Sequence, residues 1–182
     1  MAYAFGCHLF AHNALVIAIP FVLLLLQGSN FDDNEKKTTG GRNGYGAKLA
    51  NIFSKKFSVE CLDSERGLKF KQTWRNNMHD AGEPIVEKCS SAEKKSGDYV
   101  KVTFRPDFEK FNMTNLDDDA VGLISKRAYD IAGSMANKEG KRLNVYLNGE
   151  KLKVKDFKSY LALFDNVSPP EIWEKVGDWQ IG

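Results

Sequence analysis

Residues 40–54 read Gly40-Gly41-Arg42-Asn43-Gly44-Tyr45-Gly46-Ala47-Lys48-Leu49-Ala50-Asn51-Ile52-Phe53-Ser54. Four of the first seven residues are glycines, and an apolar run with helical character follows directly. Glycine adopts positive φ and lets another group approach the backbone closely. A glycine-rich loop that opens a helix presents free N–H groups at the positive end of the helix dipole. This stretch therefore predicts a loop-to-helix turn that can hold a polyphosphate.

Two common phosphate-binding motifs do not fit this stretch. A P-loop ends in Gly-Lys-Ser/Thr, whereas here Ala47 precedes Lys48 and Leu49 occupies the place of the hydroxyl. A dinucleotide fingerprint follows a buried parallel strand, whereas residues 31–39 are charged and polar. That composition is typical of a surface loop.

A polar loop that ends in a glycine-rich turn and feeds a helix is the arrangement of a nucleotide lid. Four side chains of the turn are able to bond phosphate or ribose oxygens; they are Arg42, Asn43, Tyr45 and Lys48. The alternative is a tight surface turn without a ligand, because glycine loops are common. The residues by themselves leave both interpretations open.

Four segments of the chain resemble one protein family. Residues 32–54 resemble the ATP lid of eukaryotic type IIA DNA topoisomerase. Residues 70–78, 102–107 and 126–133 resemble the same family and occur in the same order. The resemblance extends from about residue 25 to residue 164, which is most of the chain.

The resemblance implies which residues contact ATP. Backbone N–H groups of Gly44, Gly46 and Ala47 would bind the triphosphate, and Lys48 would add a point charge. The Ser-Asn pair before the lid would contact ribose and phosphate, although Gly28 stands where the family has a serine. The implied ATP-binding residues are Ser29, Asn30, Gly41, Arg42, Asn43, Gly44, Tyr45, Gly46, Ala47 and Lys48.

Other parts of the family's ATPase machinery are not recognised in this sequence. The resemblance implies that the general-base glutamate, the magnesium-binding asparagine and the adenine-reading Asp-x-Gly-x-Gly loop lie upstream. It implies that the transducer lysine and the DNA-cleaving tyrosine lie downstream. No catalytic residue is therefore assigned, and Mg²⁺ is expected to use ligands outside this chain. The cysteines form no CxxC pair and the histidines have no ligand spacing, so no other metal site is predicted.

Composition and hydropathy set the expected domain organisation. The chain has 182 residues and a net charge of +2, which suits one domain and is not by itself a nucleic-acid signature. Residues 15–26 are apolar throughout, too few to span a bilayer, which takes about twenty. They read as a buried strand or helix, or as the apolar core of a secretory signal. We expect a divergent apolar segment at 1–24, a partial ATPase domain at 25–164, and a linker with the start of a truncated transducer domain at 165–182.

Hydrophobic periodicity predicts a mixture of helices and strands. The patterns predict helices at 47–54, 117–136 and 156–164, strands at 58–62, 68–75, 85–88, 99–104 and 143–147, and turns at 63–67, 90–97 and 148–149. Such a mixture favours an α+β two-layer sandwich, with helices on one face of a mixed, mostly antiparallel sheet. The resemblance implies the same fold, as an incomplete ATPase domain of the gyrase, chaperone, histidine-kinase and mismatch-repair (GHKL) type.

The resemblance predicts a fragment of an ATP-dependent topoisomerase II that binds ATP phosphates through its lid. In the full-length enzyme it implies DNA as substrate, a homodimer and a nuclear location, with no membrane contact. One alternative is a catalytically inactive truncated gene product. Another is a small secreted or membrane-anchored protein that uses residues 15–26 for targeting.

Overall fold

The computed structural model describes residues 3–7, 45–135, 143–164, 174–177 and 179–181. The chain divides into two compact units, Met1–Met113 and Thr114–Gly182, which are described separately. The apolar run at 15–26 and the linker at 165–173 lie outside the described residues.

The first unit is built on one antiparallel sheet. Its elements are β1 (Tyr3–Cys7), α1 (Tyr45–Ile52), β2 (Ser54–Asp63), β3 (Leu68–Arg75), β4 (Asp80–Ala81), β5 (Ile85–Lys88), α2 (Ser91–Ser96), β6 (Tyr99–Pro106) and a 3-10 helix (Phe108–Phe111). The strand order is β1-β6-β2-β3-β4, and β5 pairs with β3. Every described strand pair is antiparallel.

The core of this unit lies on one face of the sheet, because the central strands alternate inward and outward. Phe57 and Val59 of β2 are fully buried, and Phe57 lies between its register partners Trp74 of β3 and Phe104 of β6. The Phe57 ring meets the Trp74 ring edge-on at 6.1 Å and stacks on Phe104 at 6.4 Å. Each such side chain stabilises the fold by about 1.5–3 kcal/mol relative to exposure.

The predicted strands at 58–62 and 68–75 are confirmed as a hairpin, and the first strand is longer than expected. Strands β2 and β3 pair continuously from Lys56↔Arg75 to Asp63↔Leu68. The buried carboxylate of Asp63 accepts hydrogen bonds from the Arg66 backbone N–H at 2.9 Å and from its guanidinium at 2.6 Å. These bonds hold the turn between the two strands in place.

One predicted turn is wrong, because residues 91–96 form a helix. The Ser90 hydroxyl accepts from the Glu93 backbone N–H at 3.2 Å, and the Glu93 carboxylate accepts from the Ser90 N–H at 2.8 Å. This reciprocal pair is a capping box, which the sequence Ser90-Ser91-Ala92-Glu93 already contains. The many charged residues of this segment favoured a turn in the sequence analysis, although the capping box predicts the start of a helix.

The second unit contains the longest of the described helices. Its elements are α3 (Asp118–Ser134), β7 (Tyr146–Leu147), β8 (Glu150–Lys151), α4 (Phe157–Leu161), β9 (Glu174–Val176) and β10 (Trp179–Ile181). Asp117 caps α3, because its carboxylate accepts a hydrogen bond from the Ala120 N–H at 2.8 Å. The predicted strand at 143–147 is shorter, and the turn Asn148-Gly149 joins β7 to β8 with both residues at positive φ.

Helices α3 and α4 pack through one close approach. A Cβ on Gly133 would lie 2.5 Å from the Cβ of Tyr160, so only glycine allows this distance. The Tyr160 hydroxyl donates to the Asp130 carboxylate at 2.6 Å, and Lys126 pairs with the same carboxylate at 2.8 Å. Helix α4 is a shorter form of the predicted helix 156–164. The α+β class is confirmed.

Candidate functional site

The candidate site begins where α1 begins. Tyr45, Gly46 and Ala47 form the first residues of the helix and are exposed, while Lys48 is half-buried. The first backbone N–H groups of a helix have no intrahelical acceptor. The first turn of α1 contains no acidic residue, so the helix itself brings no carboxylate that would repel an anion at these donors. This end of α1 therefore has the chemistry to receive phosphate.

Gly46 leaves open space at the start of the helix. A Cβ at this position would meet no heavy atom within 4 Å in the part of the chain described. Packing within that part consequently does not require a glycine here, unlike at Gly133. Close approach of a ligand to the backbone is a physical reason for a glycine at such a position.

The structure describes four of the ten sequence-predicted binding residues. Tyr45, Gly46, Ala47 and Lys48 lie consecutively in the first turn of α1. The other six lie outside the described residues; they are Ser29, Asn30, Gly41, Arg42, Asn43 and Gly44. Their assignment to ATP remains a prediction.

The far end of α1 is anchored by residues of two loops and by Ser54, the first residue of β2. The Asn77 amide donates to the backbone oxygen of Ile52 at 2.9 Å and to the Asp107 carboxylate at 3.1 Å. The Asp107 N–H donates to the backbone oxygen of Phe53 at 2.8 Å. The Ser54 hydroxyl donates to the backbone oxygen of Ala50 at 2.6 Å. These bonds satisfy carbonyls that the helix end would otherwise leave unpaired.

Lys55 extends this anchor towards solvent. Its ammonium lies 3.5 Å from the buried Asp107 carboxylate and 3.1 Å from the exposed Glu109 carboxylate. The hydrogen bond to Glu109, followed by the charges of both carboxylates, raises the pKa of Lys55 above its ordinary value. Lys55 thus remains charged beside the anchor over the physiological range.

Sequence reasoning missed Asn77 and Asp107 as residues that support the site. Both belong to segments that resemble the topoisomerase family, 70–78 and 102–107, and these segments meet at the end of α1. The Asn76-Asn77 pair was a local signal, because asparagine is enriched among the non-glycine residues that adopt positive φ. Asn76, Asn77 and Met78 all have positive φ in the structure. Only the fold shows that the loop reaches α1.

Asn51 of α1 is buried to 1% exposure, and neither its amide nitrogen nor its amide oxygen has a hydrogen-bond partner within the described part. A buried unpaired polar group costs about 1–3 kcal/mol. The helix therefore carries a polar group on its packed side in addition to the donors at its exposed start.

The described ranges contain no other recognised centre. No three His, Cys, Asp or Glu side chains converge there as a metal site would require. Burial raises the pKa of the Cys61 thiol to about 11, so this cysteine is a protonated core residue at neutral pH. Among the same residues, none of the helices has the length and apolar character needed to cross a bilayer.

The α+β fold is similar to that of the GHKL-type ATPase region of topoisomerase II. The crystal structure of the ATPase and transducer domains of DNA topoisomerase II from Balamuthia mandrillaris matches with a TM-score of 0.74 and 52% identity, covering 85% of this chain and 38% of that one. The ATPase region of Saccharomyces cerevisiae topoisomerase II matches with a TM-score of 0.74 and 40% identity, covering 94% and 44%. No family model matches the sequence.

The relatives agree with the solved structures. DNA topoisomerase 2 of Arabidopsis thaliana is 49% identical over 181 residues, which are 93% of this chain and 12% of the plant protein. The chain thus belongs to the family of eukaryotic DNA topoisomerase 2, as a portion of its ATPase region. It spans about an eighth of the length of that relative.

Proposed function

We propose that the chain is a nucleotide-binding portion of a DNA topoisomerase 2 ATPase region and that residues 41–48 hold the ATP phosphates. The start of α1 carries this proposal, because its first residues are exposed and have N–H groups without an intrahelical acceptor, its first turn lacks an acidic residue, and Lys48 lies at the end of that turn. The similarity to solved ATPase regions supports the same assignment.

Three of the described residues contact phosphate directly in this proposal, and two others fix the helix. The N–H groups of Gly46 and Ala47 donate to phosphate oxygens, and the open space at Gly46 lets those oxygens reach the backbone. Lys48 provides a point charge, which suits phosphate without demanding a fixed hydrogen-bond geometry. The anchor formed by Asn77 and Asp107 fixes the other end of the helix, so the direction of its donors is defined.

Mg²⁺ accompanies ATP in this proposal and neutralises phosphate charge when bound. The described residues offer hydrogen-bond donors for phosphate oxygens. They contain no cluster of three metal-ligating side chains. We therefore assign the described residues to binding and orienting the phosphates, and we assign no hydrolytic step to them. DNA as a substrate, a homodimer and a nuclear location are proposals for the full-length enzyme.

The experiment is a calorimetric titration of the full chain with a non-hydrolysable ATP analogue in the presence of Mg²⁺. We expect saturable binding that Lys48→Ala weakens about tenfold to a hundredfold, since a charge-assisted hydrogen bond contributes about 1.5–3 kcal/mol. Lys95→Ala is the matched control, because it also removes one lysine charge, from an exposed position at the end of α2. The affinity of this variant for the analogue should equal that of the unchanged protein.

The outcomes separate the proposal from its alternative. Saturable binding that is indifferent to Lys48→Ala would place the nucleotide elsewhere. A cooperative thermal transition without any analogue binding would favour the inactive gene product. Magnesium-dependent ATP turnover that disappears in Lys48→Ala would show that the assignment to binding alone is too narrow.

A further inference from the structure

The face of the sheet that points away from the Phe57 core carries three ordered rows of polar side chains. Strand register places Arg75, Lys56 and Arg105 side by side on β3, β2 and β6. Two residues along, the same strands bring together Thr73, Ser58 and Thr103, and two residues further they bring together Lys71, Glu60 and Lys101. Neighbouring strands lie about 4.8 Å apart, so each row is about 10 Å wide.

The first row consists of three adjacent cations. Arg75, Lys56 and Arg105 are exposed, and none has an ion pair to a described carboxylate. Asp80 lies opposite Arg75 at the edge of the sheet and accepts a hydrogen bond from Asn76. Like charges directly opposite each other on paired strands are destabilising. This row is therefore unfavourable in the isolated fold.

The third row is held in place by a central carboxylate. Glu60 accepts a hydrogen bond from the Tyr99 hydroxyl at 2.6 Å and pairs with Lys71 at 3.5 Å. The Tyr99 hydrogen bond first, and then the charges of Lys71 and Lys101, lower the pKa of Glu60 below its ordinary value. The carboxylate thus stays ionised and pairs with Lys71, one of the two cations that flank it.

The middle row supplies hydroxyl groups between the two charged rows. Ser58 and Thr73 share a hydrogen bond of 2.9 Å, in which either oxygen can donate. Hydroxyls and cationic side chains are among the groups that contact phosphate and sugar oxygens in protein–DNA interfaces. The three rows contain five cations and the Glu60 carboxylate, and Asp80 lies beside the first row. Together these side chains have a net charge of +3, which exceeds the +2 of the whole chain.

We propose that this face docks the phosphate backbone of duplex DNA, with the Arg75–Lys56–Arg105 row as its main contact. The partner follows from charge complementarity. A duplex carries about one negative charge per 1.7 Å of axis, so several phosphates lie within the footprint of the three rows. The proposal shares only the DNA partner with the proposed function, and it does not involve the helix that is assigned to ATP.

The test uses the full chain and a fluorescent mixed-sequence duplex of about 25 base pairs at several salt concentrations. The row variant combines Lys56→Gln, Arg75→Gln and Arg105→Gln. The control variant combines Lys88→Gln, Lys95→Gln and Lys110→Gln, which removes the same charge from exposed lysines outside the face. We expect the row variant to lose at least tenfold in affinity at low salt.

The salt dependence distinguishes phosphate contacts from general attraction. Each neutralised phosphate contributes about −0.9 to the slope of log K against log salt. The slope of the row variant should therefore be smaller by about 2–3, while the control keeps the slope of the unchanged protein. Equal affinity and slope for both variants would overturn the proposal. Binding to polyglutamate as tight as to DNA would also overturn it, in favour of an acidic protein partner.

A second measurement, the thermal melt of each variant without DNA, shows whether the substitutions impair folding. If the three cations repel each other, the row variant should melt at a higher temperature than the unchanged protein at low salt. The difference should vanish at high salt, because screening removes the repulsion. A lower melting temperature at every salt concentration would mean that the row stabilises the sheet, so that the cations do not repel each other as argued above. The single variant Lys56→Gln then repeats the DNA titration in a fold that keeps two of the three cations. An unchanged affinity and salt slope in that variant would also count against the proposal. ATP-analogue affinity should be equal in all of these variants.

Discussion

The amide of Asn77 donates to the backbone oxygen of Ile52 at 2.9 Å and so joins the loop after β3 to the last residue of α1. The same amide reaches the buried carboxylate of Asp107, which follows β6. Two loops from opposite sides of β2 thereby meet at one helix end. Since α1 is only 8 residues long, a fixed end also fixes the direction in which its first N–H groups point.

The first prediction concerns this bond. We expect Asn77→Ala to lower the free energy of unfolding by about 2–4 kcal/mol, because it leaves the Ile52 oxygen and Asp107 with fewer partners and places alanine at φ +56°. Urea denaturation followed by circular dichroism measures the change. Asn77→Gly is the matched variant, since it relieves the backbone strain and keeps the loss of the amide. Equal stability of Asn77→Ala and the unchanged protein would refute the anchor.

The second prediction compares two glycines of α3. Gly133→Ala would place its Cβ 2.5 Å from the Cβ of Tyr160, so it should destabilise the α3–α4 pair by about 1–3 kcal/mol. Gly122→Ala meets no heavy atom within 4 Å in the described structure and should stabilise the helix by about 0.5–1 kcal/mol. Hydrogen exchange of the α3 amides should therefore become faster in the first variant and slower in the second. Changes of the same sign would contradict this packing.

The third prediction is a pH dependence from the capping box of α2. The Ser90 backbone N–H first, and then Lys69 and the Ser90 hydroxyl, lower the pKa of the Glu93 carboxyl from 4.5 to about 2. The folded state thus favours the ionised carboxylate. Its stabilising contribution is complete above about pH 4.5 and declines as the pH falls towards 2.

Glu93→Gln tests this directly, because glutamine keeps the capping hydrogen bond and loses the charge beside Lys69. The unchanged protein should be more stable than the variant at pH 6, and the difference should shrink steadily as the pH is lowered to 3. Denaturant midpoints at each pH give the comparison. Glu83→Gln controls for the loss of one exposed carboxylate. A difference that grows on acidification would mean that the sign is wrong.

Local patterns were sufficient for the central strands of the sheet and for the long helix. The β3 strand at residues 68–75 and the β5 strand at 85–88 have the predicted bounds, because strand alternation and turn residues act over a few neighbours. The anchor of α1 was not predictable in this way. Asn77 lies 25 residues from Ile52 and 30 residues from Asp107, and no local period relates them. The three rows on the outer face depend equally on register, since neither Arg75 nor Arg105 is near Lys56 in sequence.

The short pairing of Tyr3–Cys7 with β6 was also beyond the sequence. Residues 1–24 were expected to diverge from the family, and nothing in the first seven residues alternates clearly enough to predict a strand. An edge strand takes its place from the partner that supplies free backbone groups, here β6. The domain boundaries at 24 and 164 stay predictions.

The last prediction separates folding from binding at Gly46. Because the Cβ of an alanine there would meet no heavy atom within 4 Å in the described part of the chain, Gly46→Ala should leave the free protein as stable as before or slightly more stable. The gain should be at most the roughly 0.5–1 kcal/mol that alanine has over glycine in a helix. If phosphate approaches this backbone, the same methyl group lies in its path, so affinity for the ATP analogue should fall at least tenfold. Thermal melts of the free protein and calorimetric titrations give the two quantities.

Ala47→Gly, the neighbouring exchange in the opposite direction, should lower stability and retain binding. Loss of stability and affinity together in Gly46→Ala would indicate a structural glycine, whereas unchanged affinity would remove the close approach on which the phosphate assignment depends.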